Sequence, residues 1–244
     1  NLKIEKQSYL TYMQQGGLPE LSNLPDEEMQ RNYVMAVKNT VLLRDIIQRH
    51  VIKDAQLLED IFKYFIVHTS QLISIRNIVN FFISNNRKTN YETVSTYIQY
   101  IEQAFLIYKT ERYLLQGKQT IAGVYKYYCN DASFKNYLYP GLHHGVGYML
   151  ENLVFLELLR FGYQVYIGNI KHKEIDFVAH KKDRIIYIQV SYILENQETI
   201  EREYSVLELI QDNYEKYVVS LDDILFPPYK GIRHCNVWKL HELL

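Results

Sequence analysis

Cysteine is scarce: two residues in 244, Cys129 and Cys235, far apart and without CxxC spacing. That spacing indicates neither a disulfide framework nor a zinc ribbon, so both are expected to be ordinary buried or half-buried thiols. No apolar run approaches the length of a membrane span, and Asn1-Leu2-Lys3 lacks the apolar core of a signal peptide. The expected compartment is the cytoplasm, with no membrane partner. There is no initiating methionine, and residue 1 is read as a cut made in a longer polypeptide. An excess of one charge is also missing, the net charge being −1. A tight, purely electrostatic DNA binder would be far more basic. Catalytic signatures are absent as well: there is no HExxH, no GxSxG around Ser191, Ser205 or Ser220, and no paired Cys/His spacing around His143-His144, His172 or His180. Those histidines are expected to be surface or core residues.

What is present is a core. The chain is 48% hydrophobic in a scattered pattern, and its 23 tyrosines are spread through every element as core and interface residues. Charge is uneven. Residues 71–120 hold six basic and three acidic residues, a local +3, whereas 145–244 hold 15 acidic and 11 basic residues, a local −4. Any nucleic-acid contact is therefore sought in the middle of the chain.

Residues 1–55 read as helical, broken by Gly16-Gly17-Leu18-Pro19 and restarted at Pro25-Asp26-Glu27-Glu28, with acids in the first turn of a helix running to His50. In 56–140 the spacing predicts three short helices and a hairpin. Leu58, Ile61, Phe62 and Phe65 form one stripe, and Ile75, Ile78, Val79 and Phe82 a second. The third helix starts at a capping box, Thr89-Asn90-Tyr91-Glu92, and buries Val94, Tyr97, Ile98, Ile101 and Phe105. Strands at 106–113 and 124–129, joined by a loop with Gly117 and Lys118, complete the order of a winged helix. Residues 141–244 open with a helix ending near Gly162. Strands at 163–167, 174–180 and 185–192, a helix at 198–212 and strands at 217–220 and 235–240 follow. That α-β-β-β-α-β order predicts an α/β domain, so the expected class is α then α/β.

Gly16-Gly17-Leu18-Pro19, Thr40-Val41-Leu42-Leu43-Arg44-Asp45-Ile46, Glu151-Asn152-Leu153-Val154-Phe155, Glu174-Ile175-Asp176-Phe177-Val178 and Ile188-Gln189-Val190-Ser191-Tyr192 resemble, in that order, a large family of prokaryotic AAA+ ATPases. The resemblance spans nearly the whole chain and implies that an ATPase domain precedes these segments. No GxxxxGK[ST] occurs, so this chain is expected to hold no ATP and no magnesium for hydrolysis; both belong to the implied ATPase domain. Residues 1–55 then resemble the lid that follows such a domain, and the ATPase domain of the same polypeptide is the implied partner.

If the third helix of the winged helix meets DNA, Tyr91, Ser95, Thr96, Gln99 and Gln103 lie off its buried stripe. Arg87, Lys88 and Asn90 sit at its N-terminus, and Lys118 on the wing. The alternative is a solvated face used for protein contact. The final segment resembles the PD-(D/E)xK nucleases, with Asp176 at the motif aspartate and Glu151 at the helix glutamate, the two carboxylates with a metal reading. Gln189-Val190-Ser191 stands where Glu-x-Lys belongs, which removes one anionic ligand and the water-activating ammonium. The expectation is a nuclease-like domain with no catalysis of its own and no bound cofactor. Arg202 and Glu203 are a migrated cation and a spare acid through which a divalent metal site would be rearranged. Rival functions are a metal-dependent nuclease and a protein-interaction module.

Overall fold

The structure, a computed structural model, describes residues 2–141 and 145–244, apart from the side chains of residues 2–4 and 43. His143 and His144 lie outside the described residues. The chain is a mixed α/β protein with, among the described residues, nine α-helices and eight strands in the hydrogen-bonded order β1-β3-β2-β4-β5-β6-β7-β8.

One compact unit comprises Gln7–Lys109 and Gly123–His144. It contains most of α1 (Leu2–Gln15), then α2 (Glu27–Asn39), which runs through a π-helical stretch, Thr40–Ile47, into α3 (Gln48–His50). Next come α4 (Ala55–Val67), β1 (Leu72–Ile73), α5 (Ile75–Ser84), α6 (Tyr91–Gln103), the near parts of β2 (Ile107–Leu114) and β3 (Gln119–Cys129), and α7 (Ala132–Leu138). Short polar side chains set the helix starts. Asp26 accepts from Met29 N–H, Asp54 from Leu57 N–H, Ser74 from Asn77 N–H and Asn90 from Thr93 N–H. Leu58, Ile61, Phe62 and Phe65 on α4 are buried as expected, as are Ile78, Val79 and Phe82 on α5 and Val94, Tyr97, Ile98 and Ile101 on α6, while Ile75, the first residue of the second stripe, is only half-buried.

Two expectations fail at the ends of α6. Asn90 takes the capping position given to Thr89, and the Thr89 hydroxyl is buried without a hydrogen-bond partner. Phe105 was placed on the buried face but is 68% exposed. The helix stops at Gln103, Phe105 turns left-handed at φ 56°, and Leu106 N–H reaches back to the Ile101 carbonyl at 3.2 Å. This closure puts Leu106, at 2% exposure, where Phe105 was expected. Strand β1 was not anticipated, because two residues show no alternation; it pairs antiparallel with β3, Leu72 opposite Lys126.

The other unit comprises Asn1–Lys6, Thr110–Ala122 and Gly145–Leu244. The chain thus forms two compact units. The far half of the hairpin groups with the C-terminal residues because Arg112–Leu114 of β2 pair in parallel with Ile167–Asn169 of β4 (Gln164–Ile170). Helix α8 (Val146–Arg160) precedes β4; β5 (Lys173–Lys181) and β6 (Arg184–Ser191) follow antiparallel; α9 (Gln197–Glu208) crosses to β7 (Glu215–Ser220) and then β8 (Ile232–Asn236), both parallel to β6. The observed order α8-β4-β5-β6-α9-β7 is the expected one. The last strand lies earlier than expected, since Val237–Glu242 coil into a 3-10 helix that buries Val237, Trp238 and Leu240. Helix α9 likewise ends at Glu208, short of Asp212.

Candidate functional site

In the helical unit, α5, α6 and the near hairpin enclose a polar groove of about 580 Å³. Tyr91, Ser95 and Gln99, three of the expected contact residues, line it, joined by Arg76, Lys109 and Tyr125, which had not been singled out. Helical spacing puts 91, 95 and 99 on one face because four residues make just over a turn. Tyr91 and Arg76 are exposed, and Lys109 Nζ stands 4.7 Å from the Tyr125 ring centroid. Glu102 also lines the groove; burial pushes its carboxyl up from the ordinary value while Lys109 pulls it down.

The remaining candidates of the helix face are used differently. Arg87 bonds Asp54 at 3.0 Å and lies 3.5 Å from Asp60, tying the segment between α5 and α6 to α4. Asn90 spends its side-chain oxygen on Thr93 N–H at 2.9 Å. Lys88 and Thr96 border a different depression, together with Lys53 and the stacked pair His50 and Tyr100, whose centroids are 3.6 Å apart. Gln103 is exposed at the last position of α6. Lys118 sits in the hairpin turn at φ 49° and belongs to the other unit.

The Gly16-Gly17-Leu18-Pro19 motif is a docking turn. Gly17 N–H donates to Asp131 Oδ2 at 2.8 Å, and Asp131 Oδ1 caps α7 by accepting from Ser133 N–H at 2.8 Å. Gly16 has φ +86°, and a Cβ there would lie 2.2 Å from Asp131 Oδ1. Only glycine fits that backbone and that approach.

In the α/β unit, strand pairing brings Asp176 and Gln189 together. Asp176 Oδ2 accepts from Val190 N–H at 2.8 Å, and Gln189 Oε1 accepts from Asp176 N–H at 3.3 Å. Gln189 Nε2 donates to Glu203 Oε2 at 3.0 Å. Glu203 is buried on α9, and its other oxygen accepts from Arg202 at 2.7 Å and 3.0 Å. Arg202 therefore reaches the spare acid. Glu151 is buried on α8, and Ser191, at the end of β6, donates to the Ile193 carbonyl. Among the described residues no group of three or more His, Cys, Asp or Glu is placed to hold a metal ion.

A third constellation escaped the sequence. Ser220 Oγ lies 2.8 Å from His234 Nε2 and 2.7 Å from Asp222 Oδ2, a set of residue types that serves nucleophilic hydrolysis elsewhere. The hydrogen-bond network assigns the tautomer. Ser220 gives its single proton to Asp222, so His234 must donate from Nε2, and Nδ1 accepts from Phe226 N–H at 3.3 Å. The imidazole faces no proton that it can remove from Ser220. With Ser220 fully buried and Asp222 also accepting from Leu194 N–H, the set is a tie among β7, β8 and the segment after β6. Its only signal lies in strand register, Val218 opposite His234 and Ser220 opposite Asn236, which spacing along the chain does not reveal.

Both cysteines are buried and free, and burial pushes each thiol up to about 12. No described helix is long and apolar enough to cross a membrane.

The sequence model of a domain of unknown function (DUF8612) matches residues 6–143. An uncharacterized protein of Haemophilus influenzae is 33% identical over 213 residues, covering 87% of this chain and 52% of its own length. The uncharacterized protein MJ1544 of Methanocaldococcus jannaschii is 29% identical over 240 residues, covering 90% of this chain and 52% of its own. The chain spans about half the length of these curated relatives. No solved structure matches it.

Proposed function

Starting from a chain that belongs to the DUF8612 family of domains of unknown function, we propose that its helical unit carries a winged helix that docks nucleic acid, DNA first, through the groove on α6. The element order α4-β1-α5-α6-β2-β3, with β1 paired to β3, supports the winged-helix reading. One observation carries the docking: Arg76, Lys109, Tyr91 and Tyr125 share one open groove with the polar helix residues Ser95 and Gln99. Cations meet phosphates, rings stack on bases, and hydroxyl and amide groups reach base edges. Arg87 and Asn90 serve the fold instead, by the bonds given above.

The α/β unit is read as a nuclease-like scaffold without catalysis of its own. A neutral Gln189 and a hydroxyl at Ser191 stand at the motif's acid and lysine positions, and Arg202 is drawn to Glu203. In the same proposal an AAA+ ATPase domain of the polypeptide supplies ATP and magnesium chemistry, with this chain holding its nucleic acid. The resemblance of the five motif segments supports that assignment.

Fluorescence anisotropy with short labelled single- and double-stranded DNA, titrated with salt, tests the docking. Binding that weakens with salt and falls at least about tenfold in Arg76→Glu and Lys109→Glu is expected. Absence of binding, or equal affinity in both variants, overturns it and leaves a protein-interaction module. Cleavage in magnesium or manganese that Asp176→Ala abolishes would refute the inactive scaffold.

A further inference from the structure

The α/β unit has a second cavity, of about 400 Å³, within the range of small-ligand sites. It forms where two turns meet. Parallel pairing of β2 with β4 continues as Leu115 N–H bonding the Asn169 carbonyl at 3.1 Å, so the hairpin turn that carries Lys118 lies beside the β4–β5 turn that carries Lys171. Both lysines line the cavity, both are exposed, and neither has an acidic partner among the described residues.

Its one carboxylate, Asp212, is already engaged. Asp212 accepts from the Tyr187 hydroxyl at 2.6 Å and from Tyr214 N–H at 3.1 Å, and Lys216 Nζ stands 3.7 Å away. The charge left over is positive. The walls are aromatic: Tyr113, Tyr187 and Tyr214 line the space with His180, whose ring packs edge-on to Tyr113 at 5.6 Å. His180 Nε2 is buried and has no hydrogen-bond partner.

We propose that this cavity binds a nucleotide, with the base among the tyrosine rings and the phosphate on Lys118 and Lys171. Tyrosine faces accept any base by stacking, and paired ammonium groups hold a phosphate as point charges. A sugar phosphate would leave the rings unused, and an apolar ligand would leave the two lysines unused. The source of the nucleotide is either a free mononucleotide or the phosphorylated end of a strand. The site goes beyond the α6 groove and uses none of its residues.

Calorimetric titration with AMP, GMP, CMP and UMP, with inorganic phosphate, and with oligothymidylate bearing or lacking a 5′-phosphate tests the site. At least one monophosphate or the phosphorylated oligonucleotide binds the wild-type chain. Inorganic phosphate binds at least about tenfold more weakly, and the double variant Lys118→Glu, Lys171→Glu loses at least about tenfold in affinity. Tyr214→Ala, at an exposed ring, weakens the nucleotides and not phosphate. Arg76→Glu leaves the mononucleotide and phosphate titrations unchanged and weakens only the oligonucleotides, which separates this site from the docking groove. Binding of the monophosphates assigns a free nucleotide, and binding of the phosphorylated oligonucleotide alone assigns a strand end. The proposal is overturned if no probe titrates, if the double variant, shown folded by its melting curve, binds as the wild type does, or if phosphate matches the nucleotides.

Discussion

Gln189 and Glu203 share a hydrogen bond of 3.0 Å, amide to carboxylate, between β6 and α9. The pairing is specific to an amide. Gln189→Glu would set two carboxylates against each other in a buried place, so that one must hold a proton or move. A loss of about 1–3 kcal/mol at neutral pH is expected. The new carboxyl is raised in the folded state and not in the unfolded, so the folded chain takes up the extra proton and the deficit shrinks as pH falls. Melting curves of wild type and variant from about pH 8 to about pH 5 check this; a deficit that grows on acidification refutes it.

Arg76 and Arg87 separate docking from folding. Arg76→Ala is expected to weaken DNA binding and reduce the salt slope by about 1 without moving the melting temperature. Arg87→Ala removes the ties to Asp54 and Asp60 and is expected to cost about 1 kcal/mol of stability, given partners that are part-exposed, while leaving the salt slope alone. Anisotropy and urea denaturation of the same two proteins distinguish the effects.

Gly16→Ala is expected to lose at least about 2 kcal/mol, because the new methyl meets Asp131 and the backbone of Ser133 in addition to the left-handed strain. Gly162→Ala is the control. Its φ is +80°, but nothing lies within 4 Å of the added Cβ, so about 1 kcal/mol of strain is expected alone. Equal urea midpoints for the two variants would show that the approach to Asp131 does not matter.

His234 gives the chain a pH dependence. Burial lowers its pKa from the usual histidine value and Asp222 partly restores it. The unfolded chain therefore binds the proton first as pH falls, and the stability held above about pH 6.5 is lost progressively down to the folded value. His234→Gln keeps a donor toward Ser220 and removes the titration. Its melting temperature is expected to start lower at about pH 8 and to change less between about pH 7 and about pH 5 than that of the wild type.

Periodicity made α4, α5 and α6 legible, because their buried residues recur every three or four positions. It misled at Phe105, which continues the stripe numerically although the helix has already closed through Leu106. Spacing also placed Asp176 and Gln189 on adjoining strands. It did not disclose that Arg202 would satisfy Glu203, since a side chain's choice between two acids is settled by packing. The second cavity was out of reach for the same reason: Lys118 and Lys171 are 53 positions apart by number and meet only through parallel strand pairing.

The bond between Gly17 and Asp131 closes 114 residues of chain. During synthesis the N-terminal helices emerge long before their anchor exists, and the glycine turn has nothing to dock against until α7 has left the ribosome. Assembly of that seam is a late, high-contact-order event, and until α7 is made the glycine turn stays undocked.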